Sequence, residues 1–396
     1  MENLRIAIVH DRLAGYGTEE RVLGALHEIY PTAPVYLGWI DPPLARVLGV
    51  KLRSQGFKLP SLPIAAPVTL DPLDYQALHF LSQVPVYLSP AQRFWGITHR
   101  NDRHRFLMPY CWEHFDFRGY DLVISSSFLG FGHGVRVPAS TLHLCYCHTP
   151  SRVLWEGHAQ GLASLLDVHL RQYDFYAAQR VDRFLTTSER AARRIYQFYR
   201  RSAEVMAPPV HMAGAGHAGE RYYLYVGELS RSCPVDSLIR VFNTLKRPLQ
   251  IVGSGPEEAH LRQLAGDTIS FLGSAANLDW EQVYANATAF VQPAKDIDFD
   301  VAALQAMGRG LPVIAYQCSG LKEVVLHYRT GILCAEPTEE ALAAAILEFE
   351  KLRFFSQACI DRAQEFSPSI FRSKLEWFIA QAWDEFSQRR SSPTFA

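Results

Sequence analysis

The chain has 396 residues, 48% apolar, 20% charged and 12% aromatic, which is enough material for two hydrophobic cores rather than one. Forty acidic side chains balance 39 basic ones, so no global field would draw nucleic acid to the surface. Only seven of the basic residues are lysines and none falls between Lys58 and Lys246, so sites offering a compact ammonium charge are few.

In chain order, Met1–Arg5 carries no signal-peptide pattern and no run of about 18 apolar residues follows anywhere, so a cytoplasmic location is expected. A strand over Arg5–His10 leads into a glycine loop at Gly15–Gly17, a helix over Glu19–Ile29 and a strand at Val35–Leu37. A glycine just after a first strand lets bare backbone approach an anion while helix N–H groups point at it; the alternative is a tight turn without ligand. Residues 59–120, rich in proline, aromatics, histidine and arginine, read as an insert of helices and loops. Its stretch 85–118 combines Arg93, Arg100, Arg103 and Arg105 with Phe94, Trp95, Phe106 and Trp112. That is either a surface for a membrane or lipid carrier, or a buried aromatic cluster with a solvated arginine rim. Leu122–Ser125 and Thr141–Cys147 read as strands, and Leu162–Arg183 as helical. Cys145, Cys147 and His148 are potential soft ligands, but no second ligand cluster follows; buried thiols are the better account.

Pro208-Pro209 and the small-residue run 211–219 mark a boundary, dividing the chain into 1–209 and 220–368. A regular series follows, with strands at Tyr222–Val226, Leu249–Val252, Ile269–Leu272, Ala289–Gln292, Val313–Ala315 and Ile332–Cys334. Helices fit Val235–Leu245, Glu257–Leu264, Trp280–Asn286, Val301–Arg309 and Glu339–Leu352, and a last amphipathic helix runs from about Pro368 to Gln388. Strands alternating with helices imply an α/β protein of two doubly wound parallel-sheet domains facing a cleft, with ligands at the carboxyl ends of the strands.

Several segments together resemble the family 4 (group 1) retaining glycosyltransferases: Tyr120–Ser127, Cys145–Pro150 with Trp155, Val181–Phe184, Tyr225-Val226-Gly227, Gly253–Glu257, Phe271–Gly273, Ala306–Ala315, Gly320, Glu323–Val325 and Thr330-Gly331. The resemblance covers nearly the whole chain in order. It implies the GT-B fold: two Rossmann-like domains, an N-terminal one for the acceptor and a C-terminal one for a nucleotide-sugar donor. The last helix, about 369–396, is then expected to cross back to the first domain. His148 falls where the family places a histidine beside the transferred sugar, as the candidate catalytic residue; a strand-capping histidine is the structural alternative. Gly17, Thr18, Arg231, Gly255, Asp298, Phe299, Gln305 and Glu323 correspond to the donor site, and Arg152 and Trp155 to the acceptor side.

The same resemblance exposes departures. Thr18 stands at the second glycine of the first loop. Glu228 stands at the arginine, and Cys233 at the lysine, that neutralise the departing diphosphate in place of a metal; losing one such stabiliser commonly costs about 10²–10³ in rate. Ile297 and Gln305 stand at the paired glutamates, though the Gln305 amide can still meet a ribose. Asp300 stands at a glycine. Asp296, Asp298 and Asp300 alternate along this loop, where a solvated acidic loop is favoured over a Mg²⁺ site. Arg231, Lys295, Arg309 and Lys322 are candidate replacement cations.

Two functions are therefore expected to compete. One is an active retaining transferase moving a sugar from a nucleotide diphosphate to a lipid-linked or polysaccharide acceptor, with the nucleotide-sugar as co-substrate, no other cofactor, no metal and no nucleic acid. It would work in the cytoplasm, at the inner face of the membrane where contact is peripheral. The other is a non-catalytic relative acting as subunit or scaffold of a partner glycosyltransferase.

Overall fold

The computed structural model describes residues 4–55, 72–94, 108–128, 131–157, 162–212, 219, 221–231, 233–274, 278–318 and 320–391. The chain divides into two compact units, Met1–Pro209 with Phe371–Ala396, and Val210–Ile370.

The first unit holds eight strands: β1 (Ile6–Leu13), β2 (Val35–Ile40), β3 (Leu52–Ser54), β4 (Val86–Leu88), β5 (Leu122–Ser127), β6 (Leu142–Cys147), β7 (Arg183–Thr186) and β8 (Ala203–Val205). They form one parallel sheet in the order β3-β4-β2-β1-β5-β6-β7-β8. Its central strands are buried along both faces, as an all-parallel sheet covered by helices requires. The chain leaves β1 toward β2 on one side and later returns to β5 on the other, so the carboxyl ends of β1 and β5 form a topological switch point. Two of these strands outrun their apolar signal: β1 continues three residues past His10, and β5 continues through Ser126 and Ser127. Within 59–120, expected as helices and loops only, Val86–Leu88 is a strand lying between β2 and β3. Three residues are too few to show a period. The helix expected over Leu162–Arg183 ends at Gln179, and Arg183 instead opens β7.

One face of this sheet is covered by the helices Thr18–Ile29 and Pro368–Ser391. The terminal helix places Phe371, Leu375, Phe378, Ile379, Ala382 and Phe386 in the same cluster as Ile8, Leu23, Leu37 and Ile124. That spacing makes one apolar stripe, and each such side chain contributes about 1.5–3 kcal/mol on burial. The Arg183 guanidinium clamps the helix, with Nη1 2.8 Å from Glu385 Oε2 and its centre 5.0 Å from the Phe378 ring. The opposite face carries an aromatic cluster around Tyr36, Trp112, Phe115 and Phe117. Trp112 is fully buried there, so it belongs to no membrane-facing surface. The side chains of Arg93 and Phe94, and Trp95, Arg100, Arg103, Arg105 and Phe106, lie outside the described residues.

The second unit holds β9 (Tyr222–Val226), β10 (Leu249–Val252), β11 (Ile269–Gly273), β12 (Ala287–Gln292), β13 (Val313–Tyr316) and β14 (Gly331–Cys334), parallel in the order β11-β10-β9-β12-β13-β14. Side chains alternate across the sheet: Tyr223 and Tyr225 enter one cluster, Leu224 the other. Its switch point lies between the carboxyl ends of β9 and β12. A helix over Ser356–Gln364, absent from the sequence reading, packs on the Val301–Gly308 helix. Among the described residues no helix is long and apolar enough to cross a membrane.

Candidate active site

At the switch point of the first unit, His10 on β1 pairs in register with Ser126 on β5, and His148 immediately follows β6. The Ser126 hydroxyl lies 3.2 Å from His10 Nδ1 and 3.0 Å from His148 Nε2. Behind His10, its Nε2 lies 3.7 Å from Glu20 Oε1, on the first turn of the following helix. The four side chains are all buried, so they form a polar chain inside the sheet edge. Burial, and secondarily the His10 charge, pushes the His148 imidazole down to about 3, so the ring is neutral at physiological pH. A neutral imidazole offers one donor and one acceptor, and Ser126 engages Nε2. His148 Nδ1 has no partner among the described residues. A buried ring nitrogen without a partner costs about 1–3 kcal/mol, which a ligand hydroxyl would relieve.

Ser126 is one of three consecutive serines, each bonded to histidine. Ser125 Oγ meets His143 Nε2 at 2.9 Å, and Ser127 Oγ meets His133 Nδ1 at 3.2 Å. His133 Nε2 lies 3.0 Å from Asp174 Oδ1, and Asp174 Oδ2 also accepts from Trp155 Nε1 at 2.6 Å and from the Tyr199 hydroxyl at 2.9 Å. Trp155, expected on the acceptor side, thus spends its indole N–H within the unit and stacks on Phe198 at 5.0 Å. Arg152 likewise pairs with Glu156, at 3.1 Å. Cys145 and Cys147 are buried thiols, with Cys145 pushed well up by burial, and no group of three metal-ligating side chains occurs among the described residues.

Gly17 behaves differently from the resemblance. Its backbone is extended rather than left-handed, and its N–H donates to Glu20 Oε2 at 2.8 Å, a capping arrangement that ties the loop to its own helix. A Cβ at this position would stand 3.3 Å from Glu19 Oε2 and 3.4 Å from Glu20 Oε2. The amide expected to meet a diphosphate is therefore already engaged, beside two carboxylates. Burial, then the neighbouring Glu20 charge, raises the Glu19 carboxyl above its ordinary range. Thr18 opens the helix as its first residue.

In the second unit the donor-site candidates gather on the loops after β9, β10, β12 and β13. Glu228 is exposed. Arg231 is exposed too, its Nε 3.1 Å from Glu257 Oε1, with 90% of its side chain in solvent. Cys233 is half-buried and its thiol interacts with the Tyr225 hydroxyl. Gly255 meets a packing need: a Cβ there would come 2.7 Å from the Leu229 carbonyl carbon. Gly253, at φ +149, likewise has no room beside the Gly227 carbonyl.

The loop after β12 corrects two expectations. Asp300 is not part of a solvated acidic loop: it is buried and caps the Val301–Gly308 helix, accepting from the Ala303 N–H at 3.1 Å and from the Gln292 side-chain amide. Desolvation raises its carboxyl above the ordinary range. Arg309 is no replacement cation either; it is buried with its guanidinium 4.3 Å from the Tyr284 ring. Asp298, Phe299 and Ile297 are half-buried, and Phe299 packs into the core near Phe366. Gly320 N–H donates to the Ile297 carbonyl at 2.7 Å, pinning this loop to the turn that carries Glu323. The Gln305 amide has no partner among the described residues, and Lys295 and Lys322 are exposed.

The sequence reading of the site missed Glu20, His10, Ser126 and Arg12. The three serines closing an otherwise apolar strand were the signal for Ser126, since buried hydroxyls require partners.

Residues 220–351 match the profile of the glycosyl transferases group 1. A GDP-mannose-dependent alpha-(1-6)-phosphatidylinositol monomannoside mannosyltransferase of Mycobacterium tuberculosis is 28% identical over 182 residues, covering 41% of this chain and 44% of that protein. An uncharacterised glycosyltransferase of Haemophilus influenzae is 29% identical over 134 residues, covering 31% and 37%. The chain thus spans less than half the length of these relatives. Among solved structures, the apo lipopolysaccharide outer core galactosyltransferase WaaB superposes with a TM-score of 0.66 at 14% identity, over 95% of this chain and 99% of that one. Anabaena HepE in complex with UDP and glucose gives 0.65 at 16% identity, over 96% and 100%. Residues 220–351 thus form a domain of the glycosyl transferases group 1, and the chain as a whole has the GT-B fold of these structures.

Proposed function

We propose that the protein is an active, metal-independent retaining glycosyltransferase that moves a hexose from a nucleoside diphosphate sugar to a glycan or lipid-linked acceptor. One observation supports this above the others: the buried Glu20–His10–Ser126–His148 chain ends on a ring nitrogen with no partner among the described residues. A buried ring nitrogen is costly to leave unpaired, a ligand hydroxyl would pair it, and a neutral histidine can exchange a hydrogen bond with a sugar hydroxyl. On the second unit, the unpartnered Gln305 amide suits a ribose hydroxyl. Arg231 is the cation for the departing diphosphate, because an exposed pair with Glu257 is worth only about 0–1 kcal/mol and exchanges readily for phosphate. The relatives that use GDP-mannose, and the neighbour holding UDP and glucose, support a nucleoside diphosphate hexose as donor.

The competing reading, a non-catalytic partner of another transferase, draws on the exposed Glu228 and on Cys233 turned toward Tyr225. Calorimetric titration with UDP- and GDP-hexoses, with and without Mg²⁺, separates the two. Micromolar binding that Arg231→Ala abolishes supports the transferase. Folded protein that binds no donor supports the scaffold.

A further inference from the structure

Arg12 lies two residues beyond His10 on β1, so both side chains leave the same face of the strand. Its guanidinium carbon sits 5.7 Å from the Trp39 ring centroid and 5.2 Å from that of Phe128. The Phe128 ring is also 6.3 Å from the His10 ring and 6.2 Å from the His148 ring. A single phenyl ring thus stands among the arginine and both histidines of the buried chain.

Other half-buried arginines of this unit spend their donors on the protein. Arg171 donates to the Leu154 carbonyl at 2.7 Å, Arg180 to that of Gly134 at 2.7 Å, and Arg201 to that of Val181 at 2.6 Å. Arg12 has neither a hydrogen-bond acceptor nor an ion pair among the described residues. Its two rings answer the positive charge but accept none of the five N–H groups, which form a planar fork suited to two oxygens of one anion. Glu19, whose carboxyl feels the Arg12 charge, makes no ion pair with it, and burial raises that carboxyl above its ordinary range. The side chain is therefore held in position with its hydrogen-bonding capacity unspent, at the switch point where a ligand is expected.

We propose that Arg12 is an anion-recognition residue that takes a phosphate group, bidentately, next to the sugar held by His148. The phosphate comes either from the acceptor or from the donor diphosphate. Its identity as part of a transfer substrate rests on the function proposed above; the anion site itself does not.

The test is calorimetric titration of the full chain, wild type against Arg12→Gln and Arg12→Lys, with inorganic pyrophosphate, UDP and GDP as probes. Wild type is expected to bind pyrophosphate, with the affinity falling at least about tenfold in Arg12→Gln and less in Arg12→Lys, which keeps the charge and loses the fork. Should Arg12→Gln not fold, as judged by thermal midpoint, Arg12→Lys carries the test through its smaller loss. A parallel loss of UDP or GDP binding makes the donor the source of the phosphate; nucleotide binding that stays unchanged makes it the acceptor. Pyrophosphate that binds all three proteins equally, or none, overturns the proposal while leaving the transferase reading standing. Pyrophosphate binding that depends on Arg12, in a protein that turns over no nucleotide sugar, supports the anion site and overturns the transferase reading instead.

Discussion

The Ser126 hydroxyl stands 3.0 Å from His148 Nε2, and the same oxygen is 3.2 Å from His10 Nδ1. One hydroxyl therefore fixes the orientation of His148 and links it to the first strand.

The activity of His148 should depend on this link. His148→Ala should lower kcat/KM for sugar transfer about 10- to 100-fold, the loss expected for one or two hydrogen bonds to substrate, while nucleoside diphosphate affinity changes less than about twofold. Ser126→Ala leaves two buried ring nitrogens unpartnered and should cost about 1–3 kcal/mol per nitrogen in urea unfolding. Transfer rates equal to wild type in His148→Ala would remove this residue from the sugar site.

Acid should destabilise the fold before its carboxylates titrate. His143 and His148 are both pushed down to about 3, chiefly by burial; His133 and Arg180 add to the effect on His143, and His10 to that on His148. In the unfolded chain each takes a proton near 6.5, whereas the folded protein refuses it until about 3. Their stabilising contribution is thus complete above pH 6.5 and is lost as pH falls below it. With two protons bound only on unfolding, the slope approaches about 2.7 kcal/mol per pH unit near pH 5. Asp300 and Glu19, whose carboxyls are raised, oppose this at lower pH. Unfolding free energies from pH 7.5 to 5 check it: His143→Gln should remove one proton from the slope, and a flat profile in wild type would contradict the burial of both neutral rings.

Much of the second unit is legible in the sequence, and the reason is local. Tyr222–Val226, Val235–Leu245 and Leu249–Val252 match their expected limits residue for residue because each is an unbroken run punctuated by glycine or proline. The first unit is less legible where strands are short: Val86–Leu88 and Ala203–Val205 each have three residues and borrow their structure from neighbours. The resemblance names candidate site residues but says nothing of how their side chains are oriented. Asp300 at a glycine position looks like an intruding charge, yet Asp before Val-Ala-Ala is an N-cap signal, and capping wins. His10 and Arg12 escaped notice because the apolar run ends before the hydrogen-bonded strand does.

The glycines after β10 are held by packing rather than by ligand. Gly253 occupies a positive φ and has no room for a Cβ beside the Gly227 carbonyl, so Gly253→Ala should destabilise the protein by about 1–3 kcal/mol. Nucleoside diphosphate affinity per folded molecule should fall by less than about twofold. Urea unfolding and titration on the same sample measure both; a stable variant that cannot bind nucleotide would assign the glycine to the ligand instead.

Adding cations to the loop after β9, at the two positions where the resemblance implies them, should strengthen donor binding. Glu228 is exposed, so Glu228→Arg exchanges a solvated anion for a solvated cation at little folding cost, within about 0.5 kcal/mol. Cys233 is half-buried against Tyr225, so Cys233→Lys must redirect a longer side chain and is the harder change. Arg231 is already present and weakly held by Glu257. Adding a second cation within three residues of Arg231 should raise nucleoside diphosphate affinity about tenfold at low salt. The gain should shrink as ionic strength rises, because exposed charges are screened within about 8 Å at physiological salt. Titration of Glu228→Arg with UDP and GDP at 20 and 300 mM salt reads this directly. If affinity does not rise at low salt, the loop after β9 does not face the diphosphate, and Arg231 loses its assigned role with it.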